Sequence, residues 1–203
     1  MRIKICGITN MEDAMAAADA GADALGFVFF EKSPRYIDPV RAGEIIDALP
    51  PFISTVGVFV DADENFLKRA VNESGVGILQ FHGSEPPDYC ASFGMPYVKA
   101  FRVKDMESLG ALKEYKYASA FLLDAYSAEE PGGTGLTFDW DMAAAAGPFG
   151  PIILSGGLTA GNVAEAIRKV RPYAVDVSSG VEARKGKKDG ELMRGFISAV
   201  RIS

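Results

Sequence analysis

Two residues suited to proton transfer stand at the ends of apolar runs: Cys6 closes Arg2-Ile-Lys-Ile-Cys6, and Asp124 closes Phe121-Leu-Leu-Asp124. A thiolate can accept a proton, and Lys4 lies two residues before Cys6, about 6.6 Å away on the same face of an extended segment, where its ammonium would favour that form. A carboxyl group emerging from apolar surroundings can have its pKa raised, which suits a general acid near neutral pH. Together they would make an acid–base pair. Each also has an inert alternative, since cysteine is often simply buried and aspartate often caps a turn.

Ligand-holding groups occur elsewhere. Ser155-Gly-Gly-Leu158 and Ser178-Ser-Gly180 each follow a strand pattern. Gly156, Gly157, Ser179 and Gly180 are therefore candidate phosphate-binding positions, because small residues let backbone N–H groups approach an anion closely. Arg35, behind the rigid Pro34, could hold a carboxylate with a planar fork, or could be a solvated surface residue. His82 is the sole histidine, a candidate substrate contact or a structural residue. Asp176 could bind a sugar hydroxyl or pair with Lys4, and Gln80 and Arg102 could form polar layers. Cys90 reads as core, and Trp140 with Phe138 as an anchor for a helix. There is no metal-ligand cluster, Walker motif or Rossmann fingerprint, so neither metal nor cofactor is expected.

These groups need a common scaffold. Five apolar runs end on such residues: 2–6, 78–82, 97–102, 121–124 and 174–178. Side chains alternate along a strand, so each run splits into an apolar set (Ile3 and Ile5, Leu79 and Phe81, Phe101 and Val103, Phe121 and Leu123, Val175 and Val177) and a set that carries the functional groups. That split predicts one sheet packing helices on one face and gathering polar groups at one end of the other.

Strand patterns near 2–6, 24–29, 53–60, 76–82, 97–103, 119–124, 151–154 and 173–178 alternate with helical patterns over 11–20, 39–49, 64–73, 86–93, 105–114, 139–146, 160–170 and 190–200. Asn10, Asp38-Pro39 and Thr159 supply helix-start signals. Eight units predict a single-domain α/β fold, a (β/α)8 TIM barrel spanning 1–203, with short loops at about 25 residues per unit. The competing architecture is a doubly wound open sheet. The longer stretches 30–38 and 125–138 are the natural pocket-shaping loops.

Composition narrows the partners. With 203 residues, 48% hydrophobic and 24% charged, the chain can bury a sizeable core. A net charge of -6 argues against a broad nucleic-acid surface and for a small-molecule partner. Two cysteines are too few for a disulfide framework, and the first residues enter a strand pattern without an export signal, so a cytoplasmic location is expected. Apolar runs fall short of the roughly 20 residues of a membrane span.

The chain resembles the phosphoribosylanthranilate isomerase family of tryptophan biosynthesis. The likeness is carried by Lys4-Ile-Cys-Gly-Ile-Thr9, Gly26-Phe-Val-Phe29 with Lys32-Ser-Pro-Arg-Tyr-Ile37, Leu79-Gln-Phe-His-Gly83, Leu123-Asp124, Gly132-Gly-Thr-Gly135 with Thr137-Phe-Asp-Trp140, Ser155-Gly-Gly-Leu158 and Asp176-Val-Ser-Ser-Gly-Val-Glu182. The resemblance implies an Amadori rearrangement of a phosphoribosyl substrate without a cofactor. It implies Asp124 as general acid, Cys6 as general base, Arg35 at the anthranilate carboxylate, and phosphate at Gly156-Gly157 and Ser179-Gly180. Leu136 departs from the family, which usually has a basic residue there. A monomer or homodimer is expected. The rivals are another phosphosugar isomerase or lyase and a non-catalytic phosphosugar-binding barrel.

Overall fold

In the computed structural model, which describes residues 1–102, 108–124 and 140–203, eight parallel strands close into a barrel in sequence order. They are β1 (Arg2–Cys6), β2 (Ala24–Val28), β3 (Ser54–Phe59), β4 (Ile78–Phe81), β5 (Tyr97–Arg102), β6 (Ala120–Asp124), β7 (Ile152–Ser155) and β8 (Ala174–Val177). Closure is made where Lys4 of β1 registers with Asp176 of β8. A closed barrel rather than an open sheet is what the chain forms.

Helices α1 (Met11–Ala20), α2 (Pro39–Asp47), α3 (Glu64–Ser74), α4 (Pro87–Ala91), α5 (Trp140–Ala145), α6 (Val163–Val170) and α7 (Gly190–Arg201) supply the crossovers. Two of the start signals act as expected: Asn10 accepts from the Asp13 amide, and Asp38 accepts from Val40 and Arg41 ahead of Pro39. Thr159 does not cap α6. Its carbonyl instead accepts from Asn162 and Val163, and Asn162 takes the cap position.

The fifth crossover also departs from expectation, since Ser108–Glu114 is a 3-10 helix. Leu109 and Leu112, both buried, are three residues apart and share one face at that period, with Gly110 weakening the α alternative. The expected helix start at 105–107 and the loop around Leu136 and Phe138 lie outside the described residues. A short antiparallel hairpin, β9 (Glu182–Arg184) with β10 (Lys187–Lys188), adds two strands to the eight of the sequence pattern.

The two-face pattern of the strands is realised. Ile3, Ile5, Leu79, Phe81, Phe121, Leu123, Val175 and Val177 belong to the core between barrel and helices. Inside the barrel, Val98, Ala100, Ala120, Leu122, Ile153 and Ala174 make a separate apolar cluster. That packed interior confines the polar groups to the remaining space towards the strands' carboxyl ends. Among the described residues no helix is long and apolar enough to cross a membrane.

Candidate active site

Cys6, 8% exposed, ends β1 and packs with Val28, Val58 and Phe30. Its neighbour across the ladder is Gly26, where an added Cβ would lie 2.7 Å from Cys6 Sγ and 3.1 Å from Lys4 Nζ. A glycine in β2 thus makes room for both side chains. Lys4 donates to Asp176 Oδ1 at 2.9 Å, and Ser155 donates to Asp176 Oδ2 at 3.1 Å. Asp176 is therefore engaged on both oxygens, and any sugar hydroxyl would share it with these partners.

This ion pair changes the expectation for the thiol. Burial pushes the Cys6 pKa up, and the pull of Lys4 towards the thiolate, helped by Lys188, is opposed by Asp176 and does not offset it. Burial also works against the charge on Lys4, but Asp176 and Cys6 outweigh it and hold the ammonium protonated. Lys4 acts on Cys6 with the sign foreseen; the net shift has the opposite one.

Asp124 ends β6 in register with Arg102 and Ser155. Its Oδ2 lies 3.5 Å from His82 Nε2, and His82 Nδ1 lies 3.0 Å from Gln80 Nε2. His82 directly follows β4 and Asp124 ends β6, and the intervening β5 offers small Ala100 to the interior. The lone histidine thus meets the carboxylate. Arg102 is exposed and takes no place in a buried polar layer.

Arg35 reaches the mouth from the loop after β2. Its Nε and Nη2 donate to Glu182 Oε1 and Oε2 at 2.7 and 2.8 Å, a bidentate pair. The hydrogen bonds to Glu182 are the main reason its pKa is raised, and one edge of the guanidinium stays outside the clamp. Gly7, at φ 80°, lets Arg35 lie across the end of β1: a Cβ there would sit 2.6 Å from Arg35 Cδ. Glu182 also accepts from buried Lys188 at 3.0 Å, and Lys188 donates to the carbonyl of Ser178 at 3.1 Å. Arg35, β9, β10 and the end of β8 form one charged assembly.

The candidate phosphate residues converge in space. Gly156 and Gly157 both have positive φ, 88° and 64°. Gly180, in the 3-10 turn Ser179–Val181, abuts the next loop so closely that a Cβ would fall 1.9 Å from the carbonyl oxygen of Leu158. The loops after β7 and β8 are interlocked, with backbone exposed where glycine removes side-chain bulk.

Sequence patterns passed over Glu182 and Lys188. The run Arg184-Lys-Gly-Lys-Lys188 looks like a solvated face, and only pairing with Glu182 shows that Lys188 is buried. Lys99 sits on the apolar parity of β5, 2% exposed, and bonds Glu85 at 2.9 Å and the Gly83 carbonyl at 2.6 Å. A charge on an otherwise apolar face was the available signal. Among the described residues no group of three or more His, Cys, Asp or Glu is arranged to hold a metal ion.

A closed parallel barrel with ionisable groups and glycine loops at its carboxyl mouth defines the (β/α)8 class whose sites take small, often phosphorylated, ligands. The family model described as N-(5'phosphoribosyl)anthranilate (PRA) isomerase matches residues 3–199. An N-(5'-phosphoribosyl)anthranilate isomerase of Geobacter sulfurreducens is 54% identical over 197 residues, covering 97% of each chain. The crystal structure of phosphoribosyl anthranilate isomerase from Thermotoga maritima is 41% identical with a TM-score of 0.93, covering 100% of both chains. A phosphoribosyl anthranilate isomerase in complex with reduced 1-(o-carboxyphenylamino)-1-deoxyribulose 5-phosphate is 39% identical with a TM-score of 0.89, again covering 100% of both. The chain belongs to the N-(5'-phosphoribosyl)anthranilate isomerase family.

Proposed function

We propose that this barrel catalyses the Amadori rearrangement of N-(5-phosphoribosyl)anthranilate to 1-(2-carboxyphenylamino)-1-deoxyribulose 5-phosphate in tryptophan biosynthesis, with Cys6 and Asp124 as base and acid. The observation that carries the assignment is the placement of these two groups on β1 and β6 of one closed barrel, at the same end and on the inward face. Neutral Asp124 protonates the furanose ring oxygen. The C1–O bond breaks as the nitrogen lone pair forms a protonated Schiff base. Cys6, as thiolate, then takes the C2 proton, leaving an enolamine that tautomerises to the ketone.

Electrostatics support that order. In the unliganded site, burial disfavours the thiolate. A cationic Schiff base beside Cys6 adds an attraction of the same sign as Lys4, so the thiolate form that accepts the proton is favoured once the ring has opened. Arg35, fixed by Glu182, offers its remaining edge to the anthranilate carboxylate. The loops at Gly156-Gly157 and Ser179-Gly180 take the phosphate, and His82 and Asp176 line the sugar side. Unpaired Cys6 and Cys90 suit a cytoplasmic setting.

The test is to form phosphoribosylanthranilate in situ and follow loss of its fluorescence on adding purified protein. Turnover is expected. Its absence in the wild type sinks the proposal, and binding without turnover would favour the non-catalytic barrel.

A further inference from the structure

We propose that Gln80 is a positioning residue for the acid step: it fixes the tautomer of His82 so that an N–H, rather than a bare nitrogen, faces Asp124. This rests on the proposed role of Asp124 as general acid. Gln80 lies inside β4, 2% exposed, with its side chain on the same face as His82. Its amide nitrogen is 3.0 Å from His82 Nδ1. With the amide nitrogen facing the ring, the NH2 donates and Nδ1 accepts, and in a neutral imidazole the proton then sits on Nε2. That Nε2 is the atom 3.5 Å from Asp124 Oδ2.

The tautomer decides who holds the acid's proton. An Nε2–H facing Oδ2 cannot take a proton from neutral Asp124, so that proton is carried on Oδ1 and remains available to the ring oxygen. Once it has been delivered, the same N–H stabilises the new carboxylate. The opposite tautomer presents an acceptor to Asp124, and the carboxyl proton is drawn into an internal hydrogen bond instead. Long contacts of this kind commonly tighten when a ligand is bound. Gln80 acts through His82, whose ring joins it to Asp124.

His82 is the only histidine, so its two ring nitrogens can be identified without ambiguity by two-dimensional 1H–15N spectroscopy of uniformly labelled protein. At a pH where the ring is neutral, the wild type is expected to show a bare Nδ1 and a protonated Nε2. Gln80→Met removes the donor at similar size and is expected to give a tautomer mixture, with kcat down about tenfold, the scale of one lost buried hydrogen bond, and KM little changed. Gln80→Glu, an acceptor of the same shape, is expected to place a proton on Nδ1 and lower kcat further. A protonated Nδ1 in the neutral wild type overturns the proposal, even if the variants do not fold. So does a folded Gln80→Met protein with unchanged tautomer and kcat. Failure of the wild type to turn over substrate would remove the activity assignment while leaving the spectroscopic result intact, so the two failures are distinguishable.

Discussion

Two of the buried lysine–carboxylate pairs among the described residues share a 2.9 Å contact and differ in their surroundings. Lys4–Asp176 lies inside the barrel across the closure of β1 and β8. Lys99–Glu85 lies on the outer face of the barrel, between β5 and the loop after β4. The outer pair spends its polar capacity on the backbone: Glu85 accepts from the amides of Asp61 and Gly83, Lys99 donates to the carbonyl of Gly83, and the ammonium lies 5.7 Å from the Phe101 ring centre. The inner pair meets Ser155 and puts its field on Cys6. One pair ties the loops after β3 and β4 to β5, while the other sets the electrostatics of a thiol. Burial of an ion pair thus says little about its role; its remaining neighbours say more.

The comparison can be broken by substitution. The largest effects belong to the proposed acid and base themselves. Cys6→Ala and Asp124→Asn should each lower kcat by about 10²–10⁴, with much smaller changes in KM, because proton-transfer groups act in the transition state. Steady-state kinetics on folded variants decide this, and a variant that keeps most of its kcat loses its assigned role.

Next in size is the outer pair. Lys99→Met leaves Glu85 buried without its cation and should cost about 3–5 kcal/mol of stability in denaturant unfolding. Activity of the folded fraction should stay near wild type. A pronounced fall in kcat without loss of stability would erase the distinction between the two pairs.

Lys4→Met should destabilise as well, but it should also move the pH profile. The Cys6 pKa is already raised by burial, and Lys4 is the strongest influence pulling it down. Removing Lys4 moves the thiol further up, so the limb of kcat/KM that rises as the base deprotonates should shift to higher pH, with less activity at neutral pH. Lys99→Met should leave that limb in place. Coincident profiles for Lys4→Met and wild type would refute the coupling.

The smallest effect sharpens the picture of the mouth. Glu182→Gln weakens the clamp on Arg35 and should raise KM roughly tenfold, on the scale of one charge-assisted hydrogen bond, with little change in kcat. Arg35→Met should raise KM more. Equal KM values for Glu182→Gln and wild type would show that Arg35 needs no clamp.

Much of this was legible in the chain. The alternation of Ile3 and Ile5 against Lys4 and Cys6, repeated over later strands, carries the barrel's inside and outside, because period-two burial is a local property of extended backbone. Asn10 and Asp38-Pro39 mark helix starts for equally local reasons. Thr159 shows the limit, since the choice between it and Asn162 depends on how the chain leaves the loop after β7. Leu109 and Leu112, three residues apart, fit either helical period, so their spacing alone does not separate a 3-10 helix from an α-helix.

The sequence by itself determined the strand–helix order, which strand ends carry reactive groups, and, through its resemblance, the family. The tertiary structure decided the partners: that Asp176 is held by Lys4, that Glu182 clamps Arg35, that His82 stands between Gln80 and Asp124, and that burial outweighs Lys4 at Cys6. The physical reason is distance along the chain. Local backbone preference is written in neighbouring residues, whereas Lys4 with Asp176 and Arg35 with Glu182 meet across separations of 172 and 147 residues. Closure of the barrel creates those contacts and the low-dielectric surroundings that give them their strength.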